Sequence, residues 1–334
     1  MKIDLVYLWV DGSDEKWQKK KNDTLKMFRY KLMCEAASEN RFRDNNELKY
    51  SLRSVEKFAP WINHIYIVTD NQKPKWLADH PQVSIVDHKE IIPVKYLPTF
   101  NSAAIDMFVH KIPTLSEHFL YANDDMFFGY SVSPDFFFDR EGNPVVIVKE
   151  RHNPSYVFGN EETFKIKMAG KKMGRILMTN GVRYAYMKTG FKHQLYMCHS
   201  IEPMRKSHLD EIMEKYGHDL LSVTATTFRE ATNINRIVFP LILNAWGLNT
   251  LVLRYRFGTK RIVYSKSEML AAKLLRPLRL KLFGANYDCY DRPDLTMMHK
   301  LHPAMMCIND VGNDVEEIQK FLCERFPEKS QFEI

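Results

Sequence analysis

No apolar run in this sequence of 334 residues approaches the roughly 18 residues that a membrane span requires. The first apolar stretch, Ile3 to Val10, is short and contains Asp4, so no signal peptide is expected and the cytoplasm is the expected compartment. Cysteine is sparse as well. Cys34, Cys198, Cys289, Cys307 and Cys323 are odd in number and have no Cys-x-x-Cys spacing, which excludes a disulfide framework and a structural zinc site. Internal repeats and low-complexity tracts are missing, which excludes a solenoid. Hydrophobic residues make up 45% and charged residues 27%, as in a folded globular chain with one large core or two domains.

The net charge of +7 is uneven. From Arg151 to Lys206 eleven Lys or Arg face three acids, an excess of +8 that asks for an anionic partner. Tyr156, Phe158, Phe164, Tyr184 and Tyr186 are interleaved with these cations, a pattern that suits single-stranded nucleic acid. No nucleic-acid motif accompanies it, and none is expected to bind. Met269 to Phe283 mixes Leu with Lys273, Arg276, Arg279 and Lys281 around Pro277. It reads either as a solvated surface helix or as a peripheral contact with an anionic membrane.

Ile3 to Val10 reads as a strand, followed by turn chemistry at Asp11-Gly-Ser-Asp14. Asp44 and Glu47 have capping-box spacing, before a helix with Leu48, Leu52 and Val55 on its apolar side that ends ahead of Pro60. Further strands are expected over His64 to Thr69, Val83 to Val86 and Phe119 to Ala122, with a helix after Ser102. Strands separated by helices imply an α/β, Rossmann-like, mainly parallel sheet whose ligands bind beyond the carboxyl ends of the strands. Residues 1–150 are read as a Rossmann-like half, 151–200 as a basic insertion or lid of weak periodicity, and 201–334 as a helical half completing the site.

Asp11, Asp70, Asp87 and Asp124 all fall at such strand ends. Solvated strand ends collect Asp, and for Asp70 and Asp87 the structural reading is preferred. Asp124 and Asp125 differ, because two adjacent carboxylates at the mouth of a buried strand need a cation or a proton between them.

Four blocks carry a resemblance. The first is Ile3-Asp-Leu-Val-Tyr-Leu-Trp-Val-Asp-Gly-Ser-Asp14. The second runs from Arg41-Phe-Arg-Asp-Asn-Asn-Glu47 through Ile65-Tyr-Ile-Val-Thr-Asp70 and Leu97-Pro-Thr-Phe-Asn-Ser102 to Tyr121-Ala-Asn-Asp-Asp125. The third holds His199 and Phe228-Arg-Glu230, and the fourth Cys307-Ile-Asn-Asp310 and the tail to Glu333. In this order they make the chain resemble the Stealth family, which includes bacterial capsular and exopolysaccharide phosphotransferases and the catalytic subunit of the lysosomal N-acetylglucosamine-1-phosphotransferase.

The resemblance implies a GT-A-like fold and a metal-dependent transfer of a sugar 1-phosphate from a nucleotide sugar, usually UDP-linked, to a glycan hydroxyl, with UMP released. It implies Mg²⁺ (or Mn²⁺) on Asp124, Asp125 and Asp310, since hard cations take carboxylate oxygens and can stabilise both ends of a phosphoryl displacement. It also implies a base at His199, with Asp124 in reserve, and phosphate binding by Arg229, whose planar guanidinium grips two oxygens. Trp9, Asp11 and Gly12 are candidates for the uracil and ribose, and Asn101 and Ser102 for the diphosphate. Trp9 as a core ring and Ser102 as an N-cap are the structural alternatives. Arg41, Arg43 and Arg53 are candidates for a positive field around the donor. The acceptor is expected to be a lipid-linked glycan. A GT-A-like glycosyltransferase releasing UDP and a non-catalytic glycan-binding protein remain the competing readings.

Overall fold

The computed structural model describes residues 1–27, 41–150, 153–193, 195–197, 200–247, 252–255, 285–288, 304–309 and 315–334. His199, Asp310 and the segment 269–283 lie outside the described residues.

In chain order, β1 (Ile3–Leu8) leads to α1 (Glu15–Met27), α2 (Glu47–Phe58), β2 (Ile65–Thr69), β3 (Val83–Asp87), α3 (His88–Ile91) and α4 (Ser102–Asp106). Next come β4 (His118–Asn123), β5 (Met126–Phe128), β6 (Val145–Glu150), α5 (Glu161–Met168), α6 (Met173–Thr189), β7 (Leu195–Met197), β8 (Glu202–Arg205) and α7 (Lys206–Thr224). The remaining elements are α8 (Val238–Trp246), β9 (Val252–Tyr255), β10 (Ala285–Asp288), β11 (Met305–Asn309) and α9 (Val315–Arg325).

The central sheet has the order β3-β2-β1-β4-β8. Its first four strands are parallel and β8 is antiparallel to β4. This is the expected α/β class with a mainly parallel sheet. Every residue of β1 is buried, because both faces are covered. Ile3, Leu5 and Tyr7 pack on one side with Leu48, Leu52 and Val55 of α2, whereas Val6 and Leu8 face the other side with Leu209, Ile212, Leu220 and Ile242 of α7 and α8. Two smaller three-stranded sheets flank the first, with orders β10-β11-β5 and β7-β6-β9.

Two sequence expectations change, and the structural reading of Asp87 is given its form. Asp44 and Glu47 form no capping box: the N-cap of α2 is Asn46, in the left-handed region at φ 65°. The Glu47 carboxylate instead accepts from the backbone and side-chain N–H of Asn45, at 2.6 and 2.7 Å. A capping box does form at Asp87, whose side chain and that of Glu90 close the start of α3. The Glu150–Gly190 stretch is largely helical. Its glycines hid the pattern, and Gly181 is demanded inside α6 because a Cβ there would stand 2.9 Å from Ile237 Cγ2.

Candidate functional site

The parallel register puts the carboxyl ends of β1, β2 and β4 side by side, with Leu8 opposite both Val68 and Asn123. Trp9, Asp11 and the Asp124–Asp125 pair therefore emerge along one edge, where ligands of open α/β sheets bind. Asp124 and Asp125 form the turn between β4 and β5 and are half-buried.

A third source of carboxylates arrives with α2. Ser51 Oγ donates to Met126 O at 2.5 Å and is paired with Tyr7 Oη at 2.7 Å, while Ser54 Oγ accepts from Phe128 N at 3.0 Å. These bonds stitch α2 along β5 and bring its first turn to the aspartates. Burial, then Asp125, Glu47 and Asp44, push the Asp124 carboxyl far above the usual carboxylate range. Burial and Glu47 push Asp125 up to about 7, and burial and Glu47 push Asp44 up to about 6. Asp44 and Glu47 were not foreseen as members of this site. Their spacing matched a helix cap, and a cap explains an acid without invoking a ligand.

β11 closes the far side. It runs antiparallel to β5, with Cys307 opposite Met126, and Ile308 N donates to Asp125 O at 2.9 Å. The backbone of the last block thus lies beside the paired acids. Asp310, two residues beyond Ile308, is outside the described residues.

The fit of a divalent cation can be judged from the donors. Asp125 Oδ1 is buried with no hydrogen-bond partner, and the mutual repulsion of Asp44, Glu47, Asp124 and Asp125 is what a cation would relieve. Their hard oxygens suit Mg²⁺. Among the described residues no group of three His, Cys, Asp or Glu is arranged to hold a metal ion by itself, so further ligands would have to come from outside the described residues, from substrate or from solvent.

Arg229 sits in a loop fastened to the start of α4. Phe100 N donates to Thr227 O at 2.7 Å, and the Phe100 and Phe228 rings stack at 5.1 Å. Asn233, which the sequence reading did not single out, accepts from Asn101 Nδ2 at 2.9 Å and from Glu230 N at 2.7 Å. Arg229 Nη2 in turn donates to Ser102 Oγ, so two residues assigned to the phosphates are brought together across the chain. Arg229 Nε is buried without a partner, and burial lowers the guanidinium pKa against the opposing field of Asp106.

Beneath this loop, Tyr121 Oη donates to Asp106 Oδ1 at 2.5 Å. Arg236 lies 4.4 Å from the Tyr121 ring and pairs with Glu202 at 3.0 Å.

The other candidates have structural work. Asn101 N-caps α4, accepting from Ala103 N at 3.1 Å, and its amide donates to Thr224 O, Thr226 Oγ1 and Asn233 Oδ1. The expected N-cap at Ser102 is displaced by one residue. Gly12 is required by the protein's own backbone: a Cβ would stand 2.2 Å from Phe42 O, which is reason enough for glycine here. Trp9 is buried among Ile3, Leu5, Tyr7 and α2, and its indole N–H, otherwise unpartnered, faces Asp44. Asp11 Oδ1 accepts from Ser13 N at 2.8 Å and Ser13 Oγ at 2.6 Å. Asp70 is paired with Lys20 at 2.7 Å. Arg41 is half-buried beside Phe42 and Arg43 is exposed. Arg53 is engaged elsewhere, clamping Glu333 with two bonds of 2.7 Å.

Comparison with known proteins agrees with the first two of the four sequence blocks. Residues 1–29 match the model of Stealth protein CR1, conserved region 1, and residues 41–146 that of Stealth protein CR2, conserved region 2. The exopolysaccharide phosphotransferase cps2G of Lactiplantibacillus plantarum is 32% identical over 348 residues, covering 99% of this chain and 96% of that protein. The capsular polysaccharide phosphotransferase cps1A of Actinobacillus pleuropneumoniae is 36% identical over 235 residues, covering 70% of this chain but only 62% of the relative's length. Among solved structures, the glycosyltransferase GlyE of Streptococcus pneumoniae TIGR4 is similar with a TM-score of 0.41 and 11% identity, covering 98% of this chain and 63% of that one. On its near full-length match to cps2G and the two conserved regions, the chain belongs to the Stealth family.

Proposed function

We propose that the protein transfers a sugar 1-phosphate from a UDP-sugar to a hydroxyl of an acceptor glycan in surface polysaccharide synthesis. The acceptor oxygen bonds to the phosphorus that carries the sugar, the bond from that phosphorus to the bridging oxygen breaks, and UMP leaves. The observation that carries the reading is the convergence of Asp44, Glu47, Asp124 and Asp125 at the strand ends, with Asp125 Oδ1 buried and unpartnered. An acid cluster of that kind suits a cationic bridge to a pyrophosphate. The phosphotransferase names of the relatives support the same chemistry.

In this reading Asp124 and Asp125, with Asp310 from the last block, would hold Mg²⁺, which supplies charge neutralisation on the pyrophosphate. Arg229, braced by Ser102, binds phosphate oxygens and opposes the charge that builds on them. His199 takes the proton of the acceptor hydroxyl, a step typically worth about 10²–10⁴ in rate. The acceptor is a lipid-linked glycan.

The test is incubation of the protein with a panel of nucleotide sugars, Mg²⁺ and glycan acceptors, reading the nucleotide product by mass spectrometry. UMP with a phosphodiester product is expected. UDP would convert the reading to simple glycosyl transfer, and no turnover with any donor would favour a glycan-binding role.

A further inference from the structure

β11 does more at the acid pair than close one side. Its Ile308 N donates to the Asp125 carbonyl at 2.9 Å, which fixes the backbone of that residue. One residue earlier, Cys307 is buried and paired in register with Met126, and its thiol hydrogen-bonds the Asp125 side chain. An ionised carboxylate can only accept, so the thiol is the donor. A single strand therefore holds Asp125 at both its backbone and its side chain, while Asp125 Oδ1 stays buried with no hydrogen-bond partner.

A buried cysteine commonly serves as a small apolar side chain, and Cys307 has that part too, packed with Met126, Ala304 and Met305. Packing alone does not account for a polar contact to a carboxylate. A thiol is a weak donor, able to orient a carboxylate without satisfying it. Carboxylates that bind metal ions are themselves hydrogen-bonded by neighbours, and those neighbours set where the remaining lone pairs point.

We propose that Cys307 is a positioning residue of the cation site, its thiol steadying the Asp125 carboxylate so that Oδ1 is presented to a divalent cation. The inference rests on the reading of Asp124 and Asp125 as cation ligands. The thiol is not itself a ligand in this scheme. Sulfur suits softer metals than Mg²⁺, and Cys307, Asp124 and Asp125 are not arranged as a three-ligand set. In sequence Cys307 stands three residues before Asp310, so the strand that orients one candidate ligand leads directly to another.

The test is Mn²⁺ binding to the whole chain, read as free Mn²⁺ by electron paramagnetic resonance, in the wild type, Cys307→Ala and Cys307→Ser. Alanine and serine are nearly equal in volume and open the same space beside Met126, so the two variants differ in the donor. Cys307→Ala is expected to weaken Mn²⁺ binding by at least about tenfold, and Cys307→Ser to recover most of that loss. Matching circular dichroism spectra would show both variants folded. Equal weakening in the two would assign the effect to packing and overturn the proposal, as would wild-type affinity in Cys307→Ala. An ultraviolet thiolate band that appears with Cd²⁺ and is lost in Cys307→Ala would make the thiol a ligand, which also overturns it. In each of these outcomes the wild type still binds Mn²⁺ and the transfer reading stands. A wild type that binds no Mn²⁺ would sink this inference together with the cation site on which it rests.

Discussion

Asp125 has a folded-state pKa of about 7, against about 3.9 in an unfolded chain. The unfolded state therefore ionises first, and without a divalent cation stability falls as pH rises from about 4 to about 7. Asp125→Asn removes that penalty. In chelator at pH 8 it should be more stable than the wild type by about 2 kcal/mol in urea unfolding, while turnover drops at least about 10²-fold. A variant no more stable than the wild type would show that the carboxylate is not under electrostatic stress.

Gly12 provides a contrasting test. Gly12→Ala forces a Cβ onto Phe42 O and should cost about 2–3 kcal/mol. Its loss of activity should follow the unfolded fraction, with the donor KM unchanged in the molecules that remain folded; a selective rise in KM would return Gly12 to the donor pocket.

At the scale of elements, the Arg53–Glu333 clamp fastens the tail to α2, and α2 carries Glu47. Arg53 Nη1 also donates to Phe326 O at 2.7 Å, so removing the guanidinium deprives that carbonyl of its donor and leaves the nearly buried Glu333 carboxylate to Ser330 and to Lys49, 3.6 Å away. Arg53→Met should cost about 3 kcal/mol by urea unfolding, and Arg53→Met/Glu333→Leu less than the single variant, since the under-compensated carboxylate is gone.

The elements differ in how openly they could be read. The parallel strands were legible because burial on both faces leaves predominantly apolar runs such as Ile3–Leu8, broken only by Asp4. β8 was not, because Glu202-Pro-Met-Arg205 is four residues long, includes Pro203 and pairs at the sheet edge. α6 was obscured by Gly174 and Gly181, although the approach of Ile237 explains the second.

For the whole molecule, neutral buried histidines set the acid limit. His110, His193 and His208 are buried, and burial lowers each to about 4. In the unfolded chain they charge near 6.5, so stability is complete above that pH and is lost as pH falls from about 6.5 to about 4. His110, whose ring nitrogens make no hydrogen bond although Nε2 lies 3.8 Å from Asp210, should account for roughly 3 kcal/mol of that loss, and His110→Phe should flatten this part of the stability profile measured by thermal unfolding.

The same scale limits what could be known of the site beforehand. Asp124 and Asp125 were visible as neighbours at a strand end, and the resemblance supplied Arg229. The approach of Glu47 depends instead on Ser51 and Ser54 gripping β5, and that of the last block on β11 pairing with the same strand. Neither contact leaves a spacing in the sequence. β11 and the Glu333 tail also leave a ribosome well after β1, α2, β4 and β5. A nascent chain carries its acidic pocket without one wall, and with α2 unclamped, until those closing residues emerge.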